Sequence, residues 1–219
     1  MVTNHQIIGG NEVTYVVVTN IAPPHQIFGD LSAWGEKHKN VSWRAEISRI
    51  WSDGRAVLEP SEMPRILPLE NGPLKLPAVF FSDNGIVICS SELKNILEEF
   101  DPNMHQFIPI TVLLSNGEKA PDEHFILYVH HFLDTIIDEK TVSNEFAGTV
   151  RDDPTRHLRY VNTGLLKNGD VAVAKSKLTS ANLWREKAYP GIYMMSDGLH
   201  QRLKENNLQF FKAVKTTEI

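Results

Sequence analysis

Apolar and polar positions along this chain follow the same order of patterns twice. Gly85 leads into the apolar run Ile86-Val87-Ile88-Cys89. Ser90-Ser91-Glu92 follows, and then Leu93, Ile96, Leu97 and Phe100 fall at i, i+3, i+4 and i+7. A short unbroken apolar run after a glycine predicts a buried strand. The spaced stripe predicts a helix with one apolar face. A serine at the junction supplies an oxygen for the unpaired N–H groups of the first turn, and Glu92 suits the positive end of the helix dipole. Asp101-Pro102-Asn103 stops the helix. Gln106 to Leu114 then resumes as a strand, closed by Ser115-Asn116-Gly117.

The second occurrence starts at Gly191. Ile192-Tyr193-Met194-Met195 is the strand, Ser196 the cap, Asp197 the first-turn acid, and Leu199 and Leu203 the stripe. Gly, Ile, Ser and both Leu positions align at a constant offset of 106 residues. Asn206-Asn207 ends the helix and Leu208 to Val214 extends. The pair Gln106-Phe107 is expected to match Gln209-Phe210 after a short gap. Glu92 and Gly198 disagree between the copies. Strand, capped helix and strand is a common device, so both duplication and convergence produce such a pattern.

Elsewhere the pattern predicts more strand than helix. Val13 to Thr19 is a β-branched run bounded by Asn11 and by Pro23-Pro24, as a strand requires. Residues 25–40 have no period. Trp43 to Trp51 alternates as a strand, with Ser52-Asp53-Gly54 as its turn. Prolines at 60, 64, 68, 73 and 77 exclude a long helix there and predict an extended connector. That connector sets the expected division, a β-rich region over 1–78 and a second region over 79–219 holding units 85–114 and 191–214, packed together as one compact domain. Phe125 to Val129, Val171 to Ala174 and Leu183-Trp184-Arg185 read as further strands; residues 140–160 are polar, and Arg151-Asp152-Asp153-Pro154 reads as a surface loop. Strands rarely alternate with helices, which predicts an α+β fold, mostly antiparallel with a few short helices.

Composition narrows the chemistry. The 219 residues suffice for a sizeable core, and 42% hydrophobic with 22% charged residues is ordinary for a globular protein. Cys89 is the only cysteine, so an internal disulfide is excluded, and its place at the end of an apolar strand predicts a buried small hydrophobe. The amino-terminal stretch has no secretory pattern and no apolar run is long enough to span a bilayer, so a cytoplasmic protein is expected. A net charge of −5 argues against nucleic-acid binding and suits a cationic partner. No G-x-S-x-G, G-x-x-x-x-G-K-[ST] or G-x-G-x-x-G occurs, so no cofactor is expected.

His130, His131, Asp134, Asp138 and Glu139 form the one dense cluster of potential ligands. A helix would place His130, Asp134 and Asp138 on one face, where a divalent ion could be held, and a metal-dependent hydrolase built on His130, His131 and Asp134 is the alternative that follows. A strand continued from Val129 would send the adjacent histidines to opposite faces. Trp34, between Ala33 and Gly35, is the tryptophan best placed for an interface, because Trp buries a large area with few rotamers.

The run Ile86 to Leu93, Leu97 and Gln106 to Ile110 resembles the central signature of family eleven among the immunity proteins of bacterial polymorphic toxin systems. Phe125 to Val129, Leu133-Asp134, Ile137-Asp138, Ser143, Leu183-Trp184-Arg185, Tyr193 to Asp197, Leu199 and Leu208-Gln209-Phe210 follow in the same order. The similarity spans roughly residues 75–215, and His130 stands where the pattern has Asn. It implies a protein that binds and neutralises a cognate toxin and is not an enzyme; it carries over no catalytic residue. An acidic chain suits a basic toxin. Asp134, Asp138 and Glu139, with Asp122-Glu123 near in sequence, are the expected negative patch, and Trp34 an expected contact. A secretion-associated adaptor is the remaining alternative.

Overall fold

The computed structural model describes residues 14–18, 28–29, 58–71, 75–82, 86–142, 145–150, 153–160, 165–189, 191–208 and 212–219. In chain order the strands before the first helix are β1 (Thr14–Val18), β2 (Phe28–Gly29), β3 (Ile66–Asn71), β4 (Val79–Phe81) and β5 (Val87–Ser90). Helix α1 (Ser91–Phe100) leads to β6 (His105–Leu113), β7 (His124–Val129), β8 (Phe132–Leu133), β9 (Glu145–Val150), β10 (Asp153–Tyr160), β11 (Ala172–Val173), β12 (Leu183–Glu186) and β13 (Tyr193–Ser196). Helix α2 (Asp197–Glu205), β14 (Lys212–Lys215) and β15 (Thr217–Glu218) complete the order. The fold is α+β, with mixed and antiparallel sheets.

Two sheets carry the architecture. One runs β2-β3-β6-β7-β5-β4, the other β14-β1-β13-β12-β8. The helices pack between them. Leu93, Ile96 and Leu97 of α1 and Leu199 and Leu203 of α2 are buried in one cluster with Val87, Cys89, Leu127, Leu183 and Met195 from both sheets. The apolar stripes read from the sequence therefore face each other and the two inner sheet faces. Both caps are serines. Ser90 Oγ accepts the Leu93 N–H and Ser196 Oγ accepts the Leu199 N–H, each satisfying a first-turn donor.

Strand order is the same around each helix. In the first unit β4 pairs with β5, β5 with β7, and β7 with β6, all antiparallel. In the second β12 pairs with β13, β13 with β1, and β1 with β14, again all antiparallel. Register is also shared: Ile88 faces Ile126 and Ile126 faces Ile108, while Met194 faces Val16 and Val16 faces Val214. The offset of 106 thus holds beyond the helices, and Gln106 corresponds to Lys212. The gapped match of Gln106-Phe107 to Gln209-Phe210 is corrected by this register; residues 209–211 themselves lie outside the described residues. Identity of a local pair was the weaker guide, because ladder register and not residue type fixes which positions are equivalent.

Other expectations shift. The proline-rich stretch opens with a 3-10 turn at Pro60–Glu62, and β3 within it joins the sheet by parallel pairing of Ile66 to Pro68 with Thr111 to Leu113, with Leu67 and Leu69 buried. The polar stretch 140–160, where the sequence showed no strand, holds two, and the second begins at Asp153 inside the expected surface loop. β9 and β10 form a two-stranded antiparallel sheet with bulges, a ribbon whose polar sequence hides the strand period. No helix follows Val129: β8 is a two-residue strand parallel to β12, and a 3-10 turn covers Asp138–Lys140. The strand expected over 43–51, and most of the irregular stretch 25–40, lie outside the described residues.

Candidate functional site

The acidic segment sits where the chain crosses from β7, in the six-stranded sheet, to β8, in the five-stranded one. A buried carboxylate shapes it. Glu186, on β12, accepts the Thr135 N–H (2.9 Å), the Ile136 N–H (3.3 Å), the Thr135 hydroxyl and the Trp184 Nε1–H (3.0 Å). Burial pushes its carboxyl above the usual range, against the pull of those donors. Ile137 N–H reaches the Ala172 carbonyl and Lys187 N–H reaches Leu133, so the crossover is tied on both sides.

On this support the three carboxylates differ. Asp134 Oδ2 lies 3.7 Å from Lys177 Nζ. Tyr189 donates its hydroxyl to Asp138 Oδ1 at 2.8 Å. Glu139 is exposed in the 3-10 turn. Asp122 and Glu123 precede β7, whereas Asp134 follows its far end by five residues, so the structure does not bring those two groups together. Trp34 lies outside the described residues.

Asp122 and Glu123 instead border a cleft of about 840 Å³ lined also by Arg65, Lys119, Ile110 and Phe125. His124 is buried beside it, its Nδ1 2.9 Å from the Asp122 carbonyl oxygen, and burial keeps its imidazole less basic than usual despite that contact. Cations and carboxylates share this rim, so it presents no field of one sign.

The helical face that would align His130, Asp134 and Asp138 does not form. His130 packs edge-on to Tyr128, ring centroids 4.7 Å apart, and His131 edge-on to His105 at 6.3 Å. Burial lowers the proton affinity of both His130 and His131. Among the described residues no three His, Cys, Asp or Glu side chains stand together as a metal would need, and His130, His131 and Asp134 make no cage. Cys89 is buried and its thiol pushed well up, as expected of a packing residue.

Three groups near this crossover escaped the sequence. Asp101 served there only as a helix stop. In the structure it accepts the Asn182 and Leu183 N–H groups at 2.9 and 2.8 Å, and lies 3.3 Å from His105 Nε2. Burial raises its pKa, but those hydrogen bonds outweigh burial and hold it below the usual range. Arg185 is buried, its guanidinium 4.6 Å from the Phe132 ring and 5.5 Å from that of Tyr193, and burial lowers its pKa. Adjacent Arg185 and Glu186 inside an apolar strand were the available signal, since charged residues are rarely buried without partners.

The model of the immunity protein family Imm11 matches residues 24–216. The chain belongs to this family. The match begins far ahead of residue 75, so the Imm11 region takes in the tryptophan-rich amino-terminal stretch and β3. A search of the curated proteins finds no match. Family membership marks this Imm11 chain as an immunity protein, points to a toxin partner in general terms and suggests a non-enzymatic role. No helix among the described residues is long and apolar enough to cross a membrane.

Proposed function

We propose that this Imm11 protein neutralises a cognate bacterial toxin by binding it in the cytoplasm of the producing cell, as part of a polymorphic toxin system and with no catalysis of its own. The family match over residues 24–216 carries this reading. The surface offered to the toxin is the braced crossover, with Glu139 exposed in its turn and Asp134 and Asp138 beside it, and Trp34 is a further contact. A net charge of −5 suits a basic toxin domain by speeding encounter and rejecting acidic partners. Glu186 supports the reading physically, because a contact surface held in one shape loses less entropy on binding.

The deciding experiment is co-expression with the toxin domain encoded beside this gene. Growth arrest by the toxin domain alone, relieved by this chain and accompanied by a near-stoichiometric complex on pull-down from producing cells, is the expected result. Recovery of growth with no complex would sink neutralisation by contact. For the surface, Glu139→Lys is expected to weaken binding and flatten its salt dependence; unchanged affinity and salt slope would remove this segment from the interface.

A further inference from the structure

The contact between the two strand-helix-strand units is lined by histidines. Asp101, at the end of α1, grips the first backbone donors of β12 across the seam, and His105 Nε2 is its fourth neighbour alongside the Asn182 side chain. His131 stands against His105, and its own carbonyl accepts the Arg185 N–H that joins β8 to β12. The side chain of His105 is fully buried. Nδ1 of His105 and Nδ1 of His131 are both buried with no hydrogen-bond partner.

That geometry limits how many protons the seam holds. An imidazolium has two N–H donors and needs an acceptor for each. Asp101 supplies one acceptor to His105 and one negative charge to the cluster. A second proton would put a buried N–H on a nitrogen with no acceptor, beside a ring that already shares Asp101. An unmade buried hydrogen bond of this kind costs about 1–3 kcal/mol, and like charges add to it. Among the described residues, His130 from the crossover and Arg185 of β12, whose N–H the His131 carbonyl accepts, bring no further anion to the pair.

We propose that this seam is a proton-sensitive latch, closed while Asp101 answers at most one imidazole and loosened when His130 or His131 takes up a further proton. The direction follows from linkage. His130 and His131 have their proton affinity lowered from the ordinary 6.5 by burial and by His105, with Asp101 partly offsetting this at His131. Their contribution to stability is therefore complete above about 6.5 and is lost as pH falls from there through their lower folded values. Asp101 is depressed below 3.8, so its own contribution survives until far more acidic solution. Glu186, on the same strand, is raised above 4.5 and responds in the opposite sense. The imidazole effect is accordingly read as a difference between chains.

The test compares urea unfolding of the full chain and of the His130→Gln/His131→Gln variant from about pH 7.5 to about pH 5.5, the window in which unperturbed imidazole titrates. The wild-type folding constant is expected to fall roughly tenfold further than that of the variant. In the wild type, the ring resonances of His130 and His131 are expected to titrate below 6.5. The Asn182 and Leu183 amides, held by Asp101, should lose hydrogen-exchange protection in step. Equal pH slopes in the two chains overturn the latch. So does ordinary titration of both histidines with those two amides still protected, a result the wild type alone provides if the variant does not fold.

Discussion

The two strand-helix-strand units are built alike and joined unlike. Each has a serine cap, a leucine stripe and the same four strands in the same order and register. The difference lies in where the fourth strand comes from and in how the helix ends. In the first unit β7 follows β6 directly; in the second its place is taken by β1, from the other end of the described chain. At the end of α1 stands Asp101, whose carboxylate reaches into the other unit. At the end of α2 the matching position is Asn207, exposed and in the left-handed region at φ 54°. The common parts are what any such unit needs to bury its helix. Asp101 binds the two into one body, and only one copy carries it.

Core truncation breaks the likeness hardest if it is superficial. Leu93 and Leu199 occupy matching positions and are 0% and 1% exposed. Leu93→Ala and Leu199→Ala are each expected to cost about 2–5 kcal/mol in urea unfolding, and to differ little. A cost under about 1 kcal/mol at either site would mean that its helix is not part of the shared core.

Asp101→Ala sharpens the contrast. It strands the buried donors of Asn182 and Leu183, for an expected loss of roughly 2–4 kcal/mol. Asn207→Ala should cost no more than about 0.5 kcal/mol beyond its left-handed backbone preference. Equal costs at the two sites would show that Asp101 carries no special load. The caps give the smallest effect. Ser90→Ala and Ser196→Ala should each lose about 1 kcal/mol. Ser196 should lose more, because its hydroxyl also donates to Asn182 Oδ1 at 2.7 Å.

The sequence made the local parts of this comparison legible. Both helices, both caps, the strands before them, β6, β7 and β12 are written in patterns a few residues long. Features that join distant residues were not. Asp101 looks like a helix stop until β12 lies beside it, and Glu186 looks like surface charge until Thr135 and Ile136 turn toward it. The register across β14 was missed because it is set through β1, which no local pattern links to Val214. At the candidate site, the acidic residues stand out by their clustering in the sequence, but their separation into two ends of β7 depends on where the strand begins and stops. The polar ribbon of β9 and β10 failed for another reason: its alternation is broken by bulges and by the small residues Ala147 and Gly148.

The placement of β1 also sets a clock. Its neighbours in the sheet are β13 and β14, and the bond between Thr14 and Thr216 joins positions 202 apart. At common rates of synthesis a ribosome needs about 10–40 s to cover that distance. For most of that interval, until β13 is made, the β-branched segment has neither of its sheet neighbours, while the first unit already owns all four of its strands. The nascent chain is thus half finished and half waiting. Any holding factor that visits it has its longest opportunity at β1.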